Sequence, residues 1–136
     1  STNMMVNIFA HYHTRRDTGS LSPHWHEDFE QASLCLNGTW VHHMRWPWNA
    51  RLQDWRPDCH DEIGTPSIQI IPANVVHTSR DVGEGESSLY DIFVPPRIDF
   101  SMKAGFVLNE AEYPMPDVGD TKVLTKGTLL SWQKSA

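Results

Sequence analysis

The chain has 136 residues, enough for one compact core and too few for two. Hydrophobic residues make up 39% and charged residues 21%, with six Trp, three Tyr and five Phe, which excludes an intrinsically disordered chain. Eleven basic side chains against seventeen acidic ones give a formal charge of -6, so neither nucleic acid nor an anionic membrane surface is an expected partner.

A domain of this length buries roughly 68% of its unfolded surface, so any metal would serve chemistry rather than hold the fold together. Eight His and six Trp stand out, because imidazole is the commonest metal ligand and indole a rigid contact for a small molecule. Cys35 and Cys59 are too few for a disulfide framework and lack C-x-x-C spacing, which fits a reducing cytoplasm. No basic segment followed by an apolar run opens the chain, and no stretch approaches about 18 consecutive apolar residues, so export and membrane spanning are not expected.

Nine Pro and eight Gly punctuate the sequence and no segment carries a helical apolar stripe, so an all-β fold is predicted. In chain order, the predicted strands are Met4 to Tyr12, Ser22 to His26, Phe29 to Leu36, Thr39 to Trp46, Ile68 to Ile71, Val76 to Asp81 and Ser87 to Val94. Asn37-Gly38 between two β-prone runs predicts a two-residue type I′ hairpin. Between Pro47 and Asp61 neither period persists, and a long loop carrying Trp48 and Trp55 is expected. The whole chain, 1–136, is read as one domain, with a barrel core at about 19–96 and a tail, 97–136, wrapping the barrel or a second subunit.

His24 and His26 stand at i and i+2, which on a strand points both rings to one face. A third imidazole follows at His77, just after a turn set by Pro72 and Asn74, where Asn tolerates the left-handed backbone that Gly would otherwise supply. These residues resemble the cupin superfamily, small jelly-roll β-barrels. Its first motif is Gly, H-x-H, three or four residues, Glu, six residues and Gly. Here His24 and His26 are followed after four residues by Gln31, and six more lead to Gly38. The second motif, P-x-G-x-x-H, is similar to Pro72, Asn74 and His77, and the two together span about 19–81.

The resemblance implies a single-domain cupin barrel holding one divalent metal through His24, His26, His77 and Gln31, with Glu30 as the alternative fourth ligand. Strand alternation lets only one of these two neighbours face inward. Gln31 shares its face with Ser33, Cys35, Trp40, His42 and Met44, and Trp40 and Met44 are therefore candidates for pocket lining. His42 is a candidate for an alternative ligand or a supporting hydrogen bond. Neutral ligands with two open positions suit Fe(II) and dioxygen, with Zn, Ni or Mn also able to bind. The expected activity is dioxygenation of a small oxygen-rich organic anion. Lewis-acid lyase, isomerase or cyclase chemistry, or binding without chemistry, are the alternatives. The resemblance also implies a homodimer, with Met4 to Tyr12 a candidate contact. His11-x-His13 has strand spacing but no following motif and reads as barrel surface. Arg45, Arg51, Arg56, Arg80 and Arg97 could each anchor a carboxylate, though a solvated surface role is the expectation for each singly.

Overall fold

The computed structural model describes residues 4–114. It contains strands β1 (Met5–Tyr12), β2 (Glu30–Asn37), β3 (Trp40–Arg45), β4 (Cys59–Ile63), β5 (Ser67–Ile71), β6 (Val76–Asp81) and β7 (Ser87–Val94). Among the described residues, helix is confined to one 3-10 turn at Leu52–Asp54 and a single α-turn, α1 (Ile98–Ser101). The strands form two antiparallel sheets, ordered β1-β7-β2-β5 and β4-β3-β6. This is the all-β jelly-roll architecture expected from the sequence. The predicted tail lies outside the described residues from position 115 onward.

Alternation sorts the side chains. Gln31, Ser33 and Cys35 of β2, Trp40, His42 and Met44 of β3, His77, Ser79 and Asp81 of β6, and Leu89, Asp91 and Phe93 of β7 are all buried between the sheets. Two apolar clusters form there: Cys35, Trp40 and Leu89, backed by Phe9, Tyr12 and Ile63, and Met44, Ile71 and Val75, backed by Trp46 and Cys59. Along β3 the order Trp40, His42, Met44 runs from the first cluster through a polar layer to the second. That layer holds Ser33, His42 and Ser79, and Gln31, His77 and Asp91 continue it.

Three sequence expectations need correction. Asn37-Gly38 is not a hairpin, because β2 and β3 belong to different sheets. A type I′ turn needs positive φ at both residues, whereas Gly38 has φ +88° and Asn37 is not among the positive-φ residues. The pair is a corner between sheets. A Cβ on Gly38 would sit 2.4 Å from the Ser87 Cβ, so glycine lets β7 pass close by. Of the two alternatives left by alternation, Gln31 faces inward with Ser33 and Cys35, and Glu30 is exposed.

Ser22 to His26 is not a strand and contributes one isolated bridge, His24 to His77. Conversely β4, which begins within the expected loop and runs two residues past its end, was hidden by its composition, Cys-His-Asp-Glu-Ile, with three exposed polar residues in five. Among the described residues it is an edge strand, where charge is tolerated and discourages further pairing.

Candidate metal centre

The site is assembled by backbone before side chain. His24 N–H donates to the His77 carbonyl at 3.0 Å, and His77 N–H donates back to the His24 carbonyl at 2.8 Å. This places the two imidazoles side by side, with ring centroids 4.5 Å apart. His26 follows with its ring 4.8 Å from that of His24 and 5.3 Å from that of His77. Its carbonyl accepts the Asn74 N–H at 2.6 Å, and Asn74 adopts φ 66°, the left-handed conformation expected of it. One turn thus anchors His26 and launches the strand that carries His77.

One ligand atom from each of His24, His26 and His77 lies within 4.8 Å of the others, so the three could hold a metal ion. Their hydrogen bonds prepare them for it. His24 Nδ1 lies 2.7 Å from the Ser22 carbonyl and His77 Nδ1 lies 2.9 Å from that of Val75. A carbonyl only accepts, so each Nδ1 carries the proton and each Nε2 presents a lone pair. His26 Nε2 is buried and has no hydrogen-bond partner among the described residues. Gln31 Oε1 stands 3.3 Å from His77 Nε2. The Gln31 amide nitrogen donates to Asp91 Oδ1 at 2.8 Å, which fixes the oxygen toward His77. Two acceptors therefore face one another without a proton between them, at about the separation of neighbouring ligands on bonds of roughly 2.1 Å.

No protein-family profile matches the chain and no curated protein does. Solved structures do. BH2720 from Bacillus halodurans is 21% identical, matches 69% of this chain and 64% of its own, and superposes with a TM-score of 0.51. The Drosophila melanogaster CENP-C cupin domain is 10% identical over 66% of this chain and 54% of its own, at a TM-score of 0.46. KdgF from Halomonas sp. is 19% identical over 73% of this chain and 86% of its own, at 0.44. The fold is a cupin barrel. The matched region spans less than two thirds of the first of these structures. Among the described residues no helix is long and apolar enough to cross a membrane.

Within this cupin barrel the other predicted site residues separate clearly. Glu30 is exposed on the opposite face of β2 from Gln31, which is only 6% exposed. His42 is buried, with Nδ1 2.7 Å from Ser79 Oγ and its other nitrogen 3.8 Å from the Cys35 sulfur. Trp40, expected to line the pocket, is instead a core residue of the Cys35 and Leu89 cluster and gives its indole N–H to the Asn37 carbonyl. Met44 packs into the second cluster and also borders a surface groove beside His77. A small cavity is lined by His24, Gln31, His77, Ser79, Leu89 and Asp91, among others.

One residue escaped the sequence reading and another was given the wrong surroundings. Asp91 is 4% exposed and accepts from both Gln31 and Ser33 at 2.8 Å. Its signal was available: Asp91 is a carboxylate on the inward register of Ser87, Leu89 and Phe93. Arg97 is not the solvated surface residue expected, being 14% exposed in its side chain, paired with Asp99 at 2.6 Å and seated over the rings of Phe29, Phe93 and Phe100. Phe29 in turn packs against the His26 ring at 4.3 Å.

Burial, aided by the neighbouring cationic groups, keeps these imidazoles neutral. Desolvation first, then His24, His77 and Arg97, pushes His26 down to about 2. Desolvation pushes His77 and His42 down to about 4, and lowers His24 as well. Asp91 moves the other way, up to about 6, because burial outweighs the hydrogen bonds from Ser33 and Gln31. Below their ordinary value of about 6.5 the histidines take up protons when unfolded but not when folded. The unfolded chain then binds more protons, so folding weakens as pH falls from about 6.5 toward about 4. Asp91 opposes this below about pH 6, one proton against several. Urea unfolding of metal-stripped protein should show a midpoint that falls across that pH window, and His42→Gln should flatten the fall.

Proposed function

We propose that the chain is a metal-dependent cupin enzyme in which His24, His26, His77 and the Gln31 amide oxygen hold one divalent ion, Fe(II) ahead of Zn, Ni or Mn. The observation that carries this reading is the pair of facing acceptors, His77 Nε2 and Gln31 Oε1, 3.3 Å apart beside the unpartnered His26 Nε2. A buried unpaired polar atom costs about 1–3 kcal/mol, and a cation among these lone pairs removes that cost. All four donors are neutral, so the ion keeps its +2 charge and retains open positions.

When bound, such an ion supplies Lewis acidity and a place for dioxygen to react. The chain supplies the rest. The Ser22 and Val75 carbonyls hold the proton on Nδ1 of His24 and His77, and Asp91 with Ser33 holds the Gln31 amide. Phe29 and Phe93 shield the His26 side from water. Arg97, balanced in part by Asp99, adds positive charge that favours a small oxygen-rich organic anion. The reaction that suits this set is dioxygenation: both atoms of O₂ enter the substrate, the substrate supplies the electrons, and no separate reductant is needed. The free thiols Cys35 and Cys59 support placing it in a reducing cytoplasm.

Iron(II)-reconstituted protein in an oxygen electrode, presented with diketones, catechols and hydroxy acids, should consume O₂ with at least one class, and His24→Ala should lose the metal and the uptake together. No uptake with any class, turnover with zinc in the absence of oxygen, or ligand recovered unchanged would each contradict dioxygenation.

We also propose that the enzyme works as a homodimer, joined through the outer face of the four-stranded sheet. The register aligns Val6, Ile92, Ala32 and Ile70 in one row and Ile8, Tyr90, Leu34 and Ile68 in the next. Val6, Ile8, Ile68 and Ile70 are 53 to 68% exposed. Broad apolar patches of this kind mark interaction sites. Neither row carries a charge, so a second copy meets no repulsion there despite the net charge of -6. Light scattering should give about twice 15.6 kDa, falling to the single mass in Ile8→Lys/Ile70→Lys. A wild-type monomer at micromolar concentration would contradict the dimer.

A further inference from the structure

We propose a second metal site on the barrel surface, formed by His11, His13 and Glu86 and suited to a zinc-like divalent transition ion. Strand β1 carries a bulge. In β1 the pairing with β7 runs Ile8 to Tyr90 and then Ala10 to Leu89, so one residue is skipped between them. Without the skip, His11 would oppose Ser87, on the inward register of Leu89, Asp91 and Phe93. With it, His11 opposes Ser88 and Tyr12 opposes Ser87, and continuing the ladder sets His13 opposite Glu86. Tyr12 turns in against Trp40, and both histidines turn out.

The three side chains are exposed, and one ligand atom from each lies within 4.8 Å of the others. The imidazoles meet edge to face with centroids 5.2 Å apart. His13 Nδ1 lies 3.6 Å from Glu86 Oε1, beyond hydrogen-bonding distance. It is close to the separation of two ligands on tetrahedral bonds of roughly 2.1 Å. Nearby Arg15 is engaged by Glu84 at 3.3 Å. Two imidazoles and one carboxylate are a ligand set of zinc and of its first-row neighbours, with the remaining positions open to water. Such an ion would clip the end of β1 to the turn that begins β7.

This site is independent of the buried histidines, and the test keeps the two apart. Zinc bound per chain is measured by elemental analysis after desalting, on the intact protein and on variants. The intact protein should hold two equivalents, His24→Ala/His26→Ala one, and His13→Ala/Glu86→Gln one. Because His13 and Glu86 are exposed, their substitution leaves the fold in place, which circular dichroism checks. Zinc should also raise the melting temperature of His24→Ala/His26→Ala, and adding His13→Ala should abolish that rise. A stoichiometry unchanged by His13→Ala/Glu86→Gln would overturn the proposal. One equivalent in the intact protein, retained in His24→Ala/His26→Ala and lost with His13→Ala, would uphold this site and refute the buried one.

Discussion

An ionised carboxylate only accepts hydrogen bonds, and Asp91 Oδ1 accepts from the Gln31 amide and the Ser33 hydroxyl, each at 2.8 Å. The amide can satisfy that oxygen in one orientation, nitrogen toward Asp91 and oxygen toward His77. The character of the cavity follows from it. With the amide reversed, a donor would meet the His77 lone pair, but the amide oxygen would then face the Asp91 carboxylate, another acceptor. As oriented, the cavity holds an amide oxygen and imidazole lone pairs without a positive charge of their own. Burial adds to this by keeping the imidazoles neutral.

The barrel sustains such a polar layer because apolar packing closes it on both sides. Cys35, Trp40 and Leu89 lie to one side of the layer and Met44, Ile71 and Val75 to the other. Buried polar groups are tolerated only where they are paired, and Ser33, His42, Ser79 and Asp91 pair with one another or with Gln31. His26 Nε2 and Thr78 Oγ1 are the buried side-chain atoms left over among the described residues. The first of them lies in the histidine cluster.

Much of this was legible in the sequence, and for identifiable reasons. Spacing together with the resemblance singled out His24 and His26, although the strand assumed for them is a single bridge, and the Pro72 to Asn74 turn carried its left-handed backbone openly. Between Glu30 and Gln31, alternation said only that one of the two faces inward; the motif spacing to Gly38 pointed to Gln31, and Gln31 is the buried one of the pair. What stayed hidden depended on long-range partners. Asn37-Gly38 has the local chemistry of a hairpin, and only the approach of Ser87 makes it a corner. Strand β4 is polar because it is an edge, and an edge is defined by its absent neighbour. The pairing of His24 with His77 joins residues 53 positions apart, and the bulge in β1 is visible only against β7. Asp91 was the readable signal passed over.

The central claim is that the Gln31 oxygen and three imidazoles converge on one ion. Crystals of iron- or zinc-loaded protein, with the metal located by its anomalous scattering, test it directly. The expected result is one buried ion bonded to His24, His26 and His77 and to Gln31 Oε1 at roughly 2.0–2.2 Å, with Asp91 still holding the amide nitrogen. An ion bound without Gln31, or a Gln31 side chain turned away from the three histidines in the loaded protein, would contradict it.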